Sequence, residues 1–147
     1  MTLEDAKTLG VIGSLLVSTI ALLLNFFSTL RSVSAQKTAN FQEITKSHRE
    51  IWKLTIDDYD KFKRVLQTDV NLLEEPVTYN EKRFIQLLLN HATSSFYFGK
   101  YSHMIEIEKI SLDFNQFLSL PIPRKVWHDN RVFYNKEFVD FWSVKEN

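Results

Sequence analysis

The chain has no cysteine, which excludes disulfides, thiolate metal sites and a cysteine nucleophile. It has only three glycines and three prolines in 147 residues. So few breakers suit long helices better than a many-turned β fold. Gly99 is the sole glycine after Gly13, so no glycine-rich loop is available to cradle a phosphate. An excess of one charge is missing too. Lys plus Arg and Asp plus Glu stand at 18 each, and this balance gives no overall electrostatic reason to favour duplex nucleic acid or anionic lipid. Two-residue apolar alternation, internal repeats and low-complexity linkers are also lacking.

What is present is a long apolar run. Residues 8–30 form a stretch of 23 without a charge, bracketed by Lys7 and Arg31. At ~1.5 Å per residue, a helix of that length spans the ~30 Å hydrocarbon core of a bilayer. A cleaved signal peptide fits less well. The leader MTLEDAK is not basic, the run exceeds the usual ~7–15 residues, and Arg31 separates it from Val33-Ser34-Ala35. The expected organisation is a transmembrane anchor over residues 1–32 and a helical cytoplasmic domain over 33–147. Arg31, Lys37, Lys46 and Arg49 follow the run, whereas only Lys7 precedes it. The positive-inside rule then places the C-terminal domain in the cytoplasm and the N-terminus outside, in a single-pass protein of the cell inner membrane.

The anchor carries a seam of small residues. Ser14, Ser18, Ala21, Asn25, Ser28, Ser32, Ala35 and Ala39 recur at alternating spacings of four and three, with Gly10 one turn before. That period belongs to a left-handed helix pair or ring, and small side chains let backbones approach closely in lipid. Asn25 supplies an amide able to bond to its symmetry mates. The opposite face, Leu15, Leu16, Leu22, Leu23, Phe26 and Leu30, suits acyl chains. The seam predicts a homo-oligomer.

The rest of the chain reads as all-α, a compact domain of four to five helices. Nothing between Leu30 and Phe41 breaks a helix, so the anchor is expected to continue as a stalk. Phe41, Ile44, His48, Ile51, Trp52 and Tyr59 keep helical spacing, with Phe62, Val65 and Leu66 beyond, and the helix is expected to fade near Thr68 to Asn71. Thr78-Tyr79-Asn80-Glu81 fits a capping box. The helix it opens carries Phe84, Leu87, Leu88, His91, Ala92 and Ser95, and Gly99 is a natural C′ residue to end it. A further helix is expected over His103 to Leu118, with Ile107, Ile110, Leu112, Phe114 and Phe117 apolar. Leu120-Pro121-Ile122-Pro123 stops it, and Pro123 opens a short helix with Val126, Trp127 and Val132. Asn135 caps the last helix, on which Phe138, Phe141 and Trp142 are apolar.

Catalytic patterns are not found. His48, His91, His103 and His128 show no i,i+4 pairing and no H-E-x-x-H, so a metal site needs them to converge through the fold. Ser94-Ser95 lacks a nucleophile-elbow glycine pattern, and Glu74-Glu75 and Asp57-Asp58 read as solvated surface. The expectation is a non-enzyme without metal or cofactor. The best candidate for ligand binding is Arg124, Lys125, Trp127, His128 and Arg131. On a helix, Arg124, His128 and Arg131 share one face, Lys125 adjoins it, and Trp127 is available to stack on a base. The competing reading buries Trp127 in the core and leaves the charges as a wet face. In a homo-oligomer the cluster repeats around an axis, and weak patches add up to a strong anion site.

Three segments carry a resemblance. Phe84-Ile85-Gln86-Leu87-Leu88-Leu89-Asn90-His91, Pro123-Arg124-x-x-Trp127 and Tyr134-Asn135-x-x-Phe138-Val139-x-Phe141 resemble small bacterial proteins with one or two N-terminal membrane helices and a helical cytoplasmic domain. In size and arrangement the chain is also similar to the short membrane effectors of type III CRISPR systems. That likeness implies a cytosolic domain that binds cyclic oligoadenylate and acts at the membrane in antiviral defence. It carries over no ligand residue individually. The leading expectation is therefore a non-enzymatic membrane receptor or effector for an anionic ligand such as a cyclic oligonucleotide. The alternative is a membrane-anchored scaffold or accessory subunit that docks a protein. A receptor needs the basic cluster on a shared axis, whereas a scaffold needs an exposed apolar patch with Phe or Trp.

Overall fold

A computed structural model describes residues 3–143; the side chains of residues 3, 5, 6, 8–11, 108–110 and 143 lie outside the description. The expectations for Gly10 and Ile110 fall there. Among the described residues every regular element is helical and there is no strand. The helices are α1 (Leu3–Asp57), α2 (Tyr59–Phe62), α3 (Tyr79–Ser102), α4 (Ile107–Ser119), α5 (Pro121–Asn130) and α6 (Lys136–Ser143). Short 3-10 turns cover Lys63–Leu66 and Arg131–Phe133. By contacts the chain divides into two units, Met1–Ala39 and Asn40–Asn147.

The first unit is a single stretch of α1. Every side chain from Ile12 to Ala39 is exposed, and the helix is long and apolar enough to cross a membrane. Its threonines satisfy themselves: Thr19, Thr29 and Thr38 donate to the carbonyls of Leu15, Asn25 and Ser34 at 2.8, 2.9 and 3.1 Å. A hydroxyl bonded back onto its own helix costs little in an apolar solvent, where an unpaired donor is expensive.

The second unit opens with the last turns of α1. The regular helix stops at Asp57, short of the expected Thr68 to Asn71. Asp58 (φ −115°, ψ 31°) breaks it, and α2 and the 3-10 turn rewind the chain as far as Leu66. The break turns Phe62 and Val65 into the core. It also leaves Trp52 and Tyr59, expected on the apolar stripe, exposed.

The capping box forms. Thr78 Oγ1 accepts from the Glu81 N–H at 3.3 Å, and Glu81 Oε2 accepts from the Thr78 N–H at 2.8 Å. At its other end α3 runs past Gly99 to Ser102, and His103 takes the left-handed capping position at φ 57°. Gly99 is a packing residue instead. A Cβ there would stand 2.9 Å from Ile107 Cγ1 and 3.2 Å from the Ile105 carbonyl oxygen, so only glycine lets that segment close onto α3. The following helix consequently begins at Ile107, not His103. Leu120 (φ −70°, ψ 146°) ends α4 and starts α5. Pro121, two residues before the expected Pro123, occupies the first helical position, where no N–H is needed. Asn135 Oδ1 accepts from the Glu137 N–H at 3.2 Å at the start of α6.

The core is aromatic. Trp127 meets Phe138 edge-on at 5.9 Å, Phe138 meets Trp142 at 5.7 Å, and Trp142 lies 4.4 Å from Phe114. Ile85, Leu89, Ile122 and Val65 fill in around them. Such ring pairs add ~0.5–1.5 kcal/mol each beyond the area they bury.

Candidate binding surface

Helix α5 sorts the expected ligand cluster by face. Ile122, Val126, Trp127 and Asn130 point inward. Trp127 is only 2% exposed, so it is core and unavailable to stack on a base. The charged members take the outer face. Lys125 Nζ contacts both Asp129 carboxylate oxygens, at 2.7 and 2.8 Å, and exposed His128 stands 3.7 Å from the same carboxylate. Hydrogen bonding and charge from Lys125, with His128 behind them, hold the Asp129 carboxyl below its ordinary range against a small opposing effect of burial. Exposed Arg124 donates from Nη2 to the Ser119 carbonyl at 2.6 Å, at the end of α4. Arg131 is half-buried in the 3-10 turn. Within one subunit the structure therefore gathers no anion pocket from these five residues. The i,i+4 spacing of Asp129 from Lys125 was the signal that the patch carries its own counterion.

A different surface brings residues together. The rings of Phe41 and Phe98 stack at 6.2 Å and those of His48 and His91 lie 5.4 Å apart. The numbering rises along one helix as it falls along the other. The end of α1 and α3 are therefore antiparallel, and Trp52 comes level with Leu87. Below them a cleft of about 350 Å³ is lined by Leu54, Asp58, Lys61, Phe62, Asn80, Arg83, Phe84 and Leu87. Phe62 and Phe84, stacked at 4.3 Å, form part of its apolar lining. Lys61 is paired with Asp58 at 2.7 Å. Arg83 lies over the Tyr79 ring at 5.1 Å and donates to Gln86 Oε1 at 3.1 Å, with no carboxylate partner among the described residues. Trp52 and Ile56, one turn apart on α1, and Leu87, itself part of the cleft's lining, are exposed by 58%, 71% and 42%.

Arg64 fixes the cleft's neighbourhood. Its guanidinium donates to Glu81 Oε1 and Oε2 at 2.7 and 2.9 Å, to Glu75 Oε2 at 2.9 Å, and to the Glu75 and Pro76 carbonyls. Burial pushes the Glu81 carboxyl upward, but the Arg64 and Thr78 hydrogen bonds outweigh it and hold the group below its usual range. Its Glu81 hydrogen bonds raise Arg64 in turn, against the opposing effect of burial. The ion pair ties the 3-10 turn to the start of α3, and α3 supplies Asn80, Arg83, Phe84 and Leu87.

The fold also makes two of the four histidines converge. His48 Nδ1 lies 3.3 Å from His91 Nε2, and the Trp52 indole N–H donates to His48 Nε2 at 2.7 Å. No third metal-ligating group joins them among the described residues. Neither the cleft nor the histidine contact was visible in the sequence, because both need residues about 20–45 positions apart to meet through a helix reversal. No protein-family model, curated protein or solved structure matches the chain.

Proposed function

We propose that the chain is a non-enzymatic, membrane-anchored docking module. The apolar part of α1 crosses the inner membrane once, the helical unit stands in the cytoplasm, and the chain associates with copies of itself along the Ser14–Ala39 seam. The partner of the helical unit is a protein segment with an apolar anchor and a carboxylate. The carrying observation is a cleft lined by Phe62, Phe84, Leu87 and Arg83, with exposed Trp52 and Ile56 on the stretch of α1 that supplies Leu54 to it. Exposed apolar groups beside a concave apolar pocket favour insertion of an anchor side chain. A cation over an aromatic ring, lacking a carboxylate, favours an acidic group next to that anchor.

A photo-crosslinking residue in place of Ile56 in membranes should trap one defined protein species. The same residue in place of exposed Leu112, on α4, should not. Arg83→Glu should abolish the crosslink. Equal crosslinking from both positions, or none from Ile56, overturns the docking reading. A reporter fused after Asn147 should be active in the cytoplasm, and activity on the other side overturns the topology.

A receptor for an anionic ligand such as a cyclic oligonucleotide is the second reading. Exposed Arg124, held by a carbonyl and not by a carboxylate, favours it, because repetition around an oligomer axis would sum its charge with that of Arg131. Oligoadenylate should then raise the melting temperature of the wild type and leave the Arg124→Glu, Arg131→Glu variant unchanged. No shift in either protein leaves the docking reading alone.

A further inference from the structure

The contact of Trp52, His48 and His91 fixes every proton in it. An indole N–H can only donate, so His48 Nε2, 2.7 Å away, must accept. A neutral imidazole with one accepting nitrogen carries its hydrogen on the other. His48 Nδ1 therefore donates to His91 Nε2 across 3.3 Å, and His91 in turn carries its hydrogen on Nδ1. This arrangement exists only while both rings are neutral. A proton added to His48 enters at Nε2 and faces the indole N–H. A proton added to His91 enters at Nε2 and faces the His48 N–H. Either one turns a hydrogen bond into two opposed donors, and the second adds charge to a half-buried ring.

We propose that Trp52, His48 and His91 form a proton-sensitive latch that joins the end of α1 to α3 and sets the Trp52 indole while both rings are neutral. The surroundings offer no compensation for charge. Apart from His91, α3 is uncharged from Phe84 to Gly99. The stretch holds Tyr97, and Tyr134 reaches it from outside, its hydroxyl donating to Asn90 Oδ1 at 3.2 Å. On α1, His48 is flanked in sequence by Lys46, Arg49, Glu50 and Lys53, with Glu50 engaging Lys46 at 3.9 Å. Helix α5 brings Arg124, Lys125, His128 and Asp129, and α2 brings Asp60 and Lys61. Burial first, then the neighbouring His48, holds the His91 imidazole below the ordinary value. A histidine held neutral in the fold is protonated more readily in the unfolded chain. Its contribution is therefore complete above the unfolded value of about 6.5 and declines as pH falls through it toward the lower folded value. A metal chelate at the same pair is disfavoured by the same donor. Binding through His48 Nδ1 would put a hydrogen on Nε2, against the indole.

The test uses the full chain in detergent, with ring-nitrogen NMR and hydrogen exchange followed from about pH 7.5 to 5.5, the range in which histidine changes charge. At the upper end both rings should carry hydrogen on Nδ1. On acidification, exchange in residues 44–57 should rise. His91→Gln, whose amide oxygen still accepts from His48 but takes up no proton, should flatten the response. Trp52→Phe removes the donor that fixes the His48 tautomer, so an Nε2–H form of His48 should appear at neutral pH. It also provides a readout should His91→Gln fold poorly. Equimolar zinc should leave both tautomers unchanged. An Nε2–H form of His48 in the wild type at neutral pH, an unaltered response in His91→Gln, an unchanged His48 tautomer in Trp52→Phe, or zinc-induced shifts of both facing nitrogens would each overturn the latch.

Discussion

From Ile12 to Ala39 leucine, isoleucine and phenylalanine all stand exposed, and their neighbours are serine, alanine and threonine. From Asn40 onward the same apolar types are divided, with Phe84, Ile85, Leu89 and Phe138 buried and others, Ile56, Leu73, Leu112 and Phe133 among them, left outside. The two units differ in charge, absent from residues 8–30, and in where they put the apolar types they share. In the first, apolar side chains face outward along the whole stretch, the arrangement an apolar solvent selects. In the second, aromatic rings are gathered inward, the arrangement water selects. An exposed large apolar side chain is therefore ordinary in the first unit and departs from the inward packing of the second.

The widest separation between the units comes from Trp127→Ala. Loss of this fully packed ring should destabilise the helical unit by about 3–5 kcal/mol, while circular dichroism of the apolar helix in detergent stays intact. A melt that shifts by less than half of that would place Trp127 outside the cooperative core. Glu81→Gln should cost about 2 kcal/mol, since it weakens charged hydrogen bonds to Arg64. The pH dependence gives the sign. A carboxylate held low in the fold stabilises above its unfolded value of about 4.3 and loses that contribution as pH falls through the folded one. Wild type and variant should therefore converge in stability on acidification, as followed by urea unfolding at several pH values. Ser14→Leu with Ser18→Leu reverses the target. It should weaken self-association by about 1–2 kcal/mol, read by light scattering in detergent, without moving the melt of the helical unit. Unchanged oligomer size would remove the seam. The smallest effect is expected from His103→Gly, which relieves a left-handed backbone and should stabilise by up to about 1 kcal/mol in a thermal melt.

Local signals carried the sequence reading furthest. The Thr78–Glu81 box, the paired prolines and Asn135 each act within one helical turn, and each stands where spacing placed it or within two residues. Gly99 misled because a terminal glycine and a close-packed one are identical in sequence; only the approach of Ile105 and Ile107 distinguishes them. The α5 cluster misled in part for a similar reason. Trp127 shares a stretch with Arg124 and Lys125, but the helix turns it inward. Trp52, His48 and His91 were read as members of separate apolar stripes. Their common contact depends on α1 and α3 running antiparallel, which no spacing within either helix encodes.

The charge-free stretch of α3 has a consequence for biosynthesis. Residues 84–99 present 16 positions without a formal charge between Arg83 and Lys100; on the proposed topology they would emerge from the ribosome after the apolar part of α1 had engaged the insertion machinery. At ~1.5 Å per residue they reach only ~24 Å as a helix, short of the ~30 Å a bilayer core demands. Gln86, Asn90 and His91 raise the cost of insertion further. On that topology these three side chains would do two jobs at different times. In the nascent chain they would keep the segment from being taken for a second span. In the folded unit Gln86 binds Asn130, Asn90 receives Tyr134 and His91 meets His48. Replacing all three with leucine would erase those contacts and also present the translocon with a competing stop, so the first consequence of the change would be a topology error made before the domain could fold.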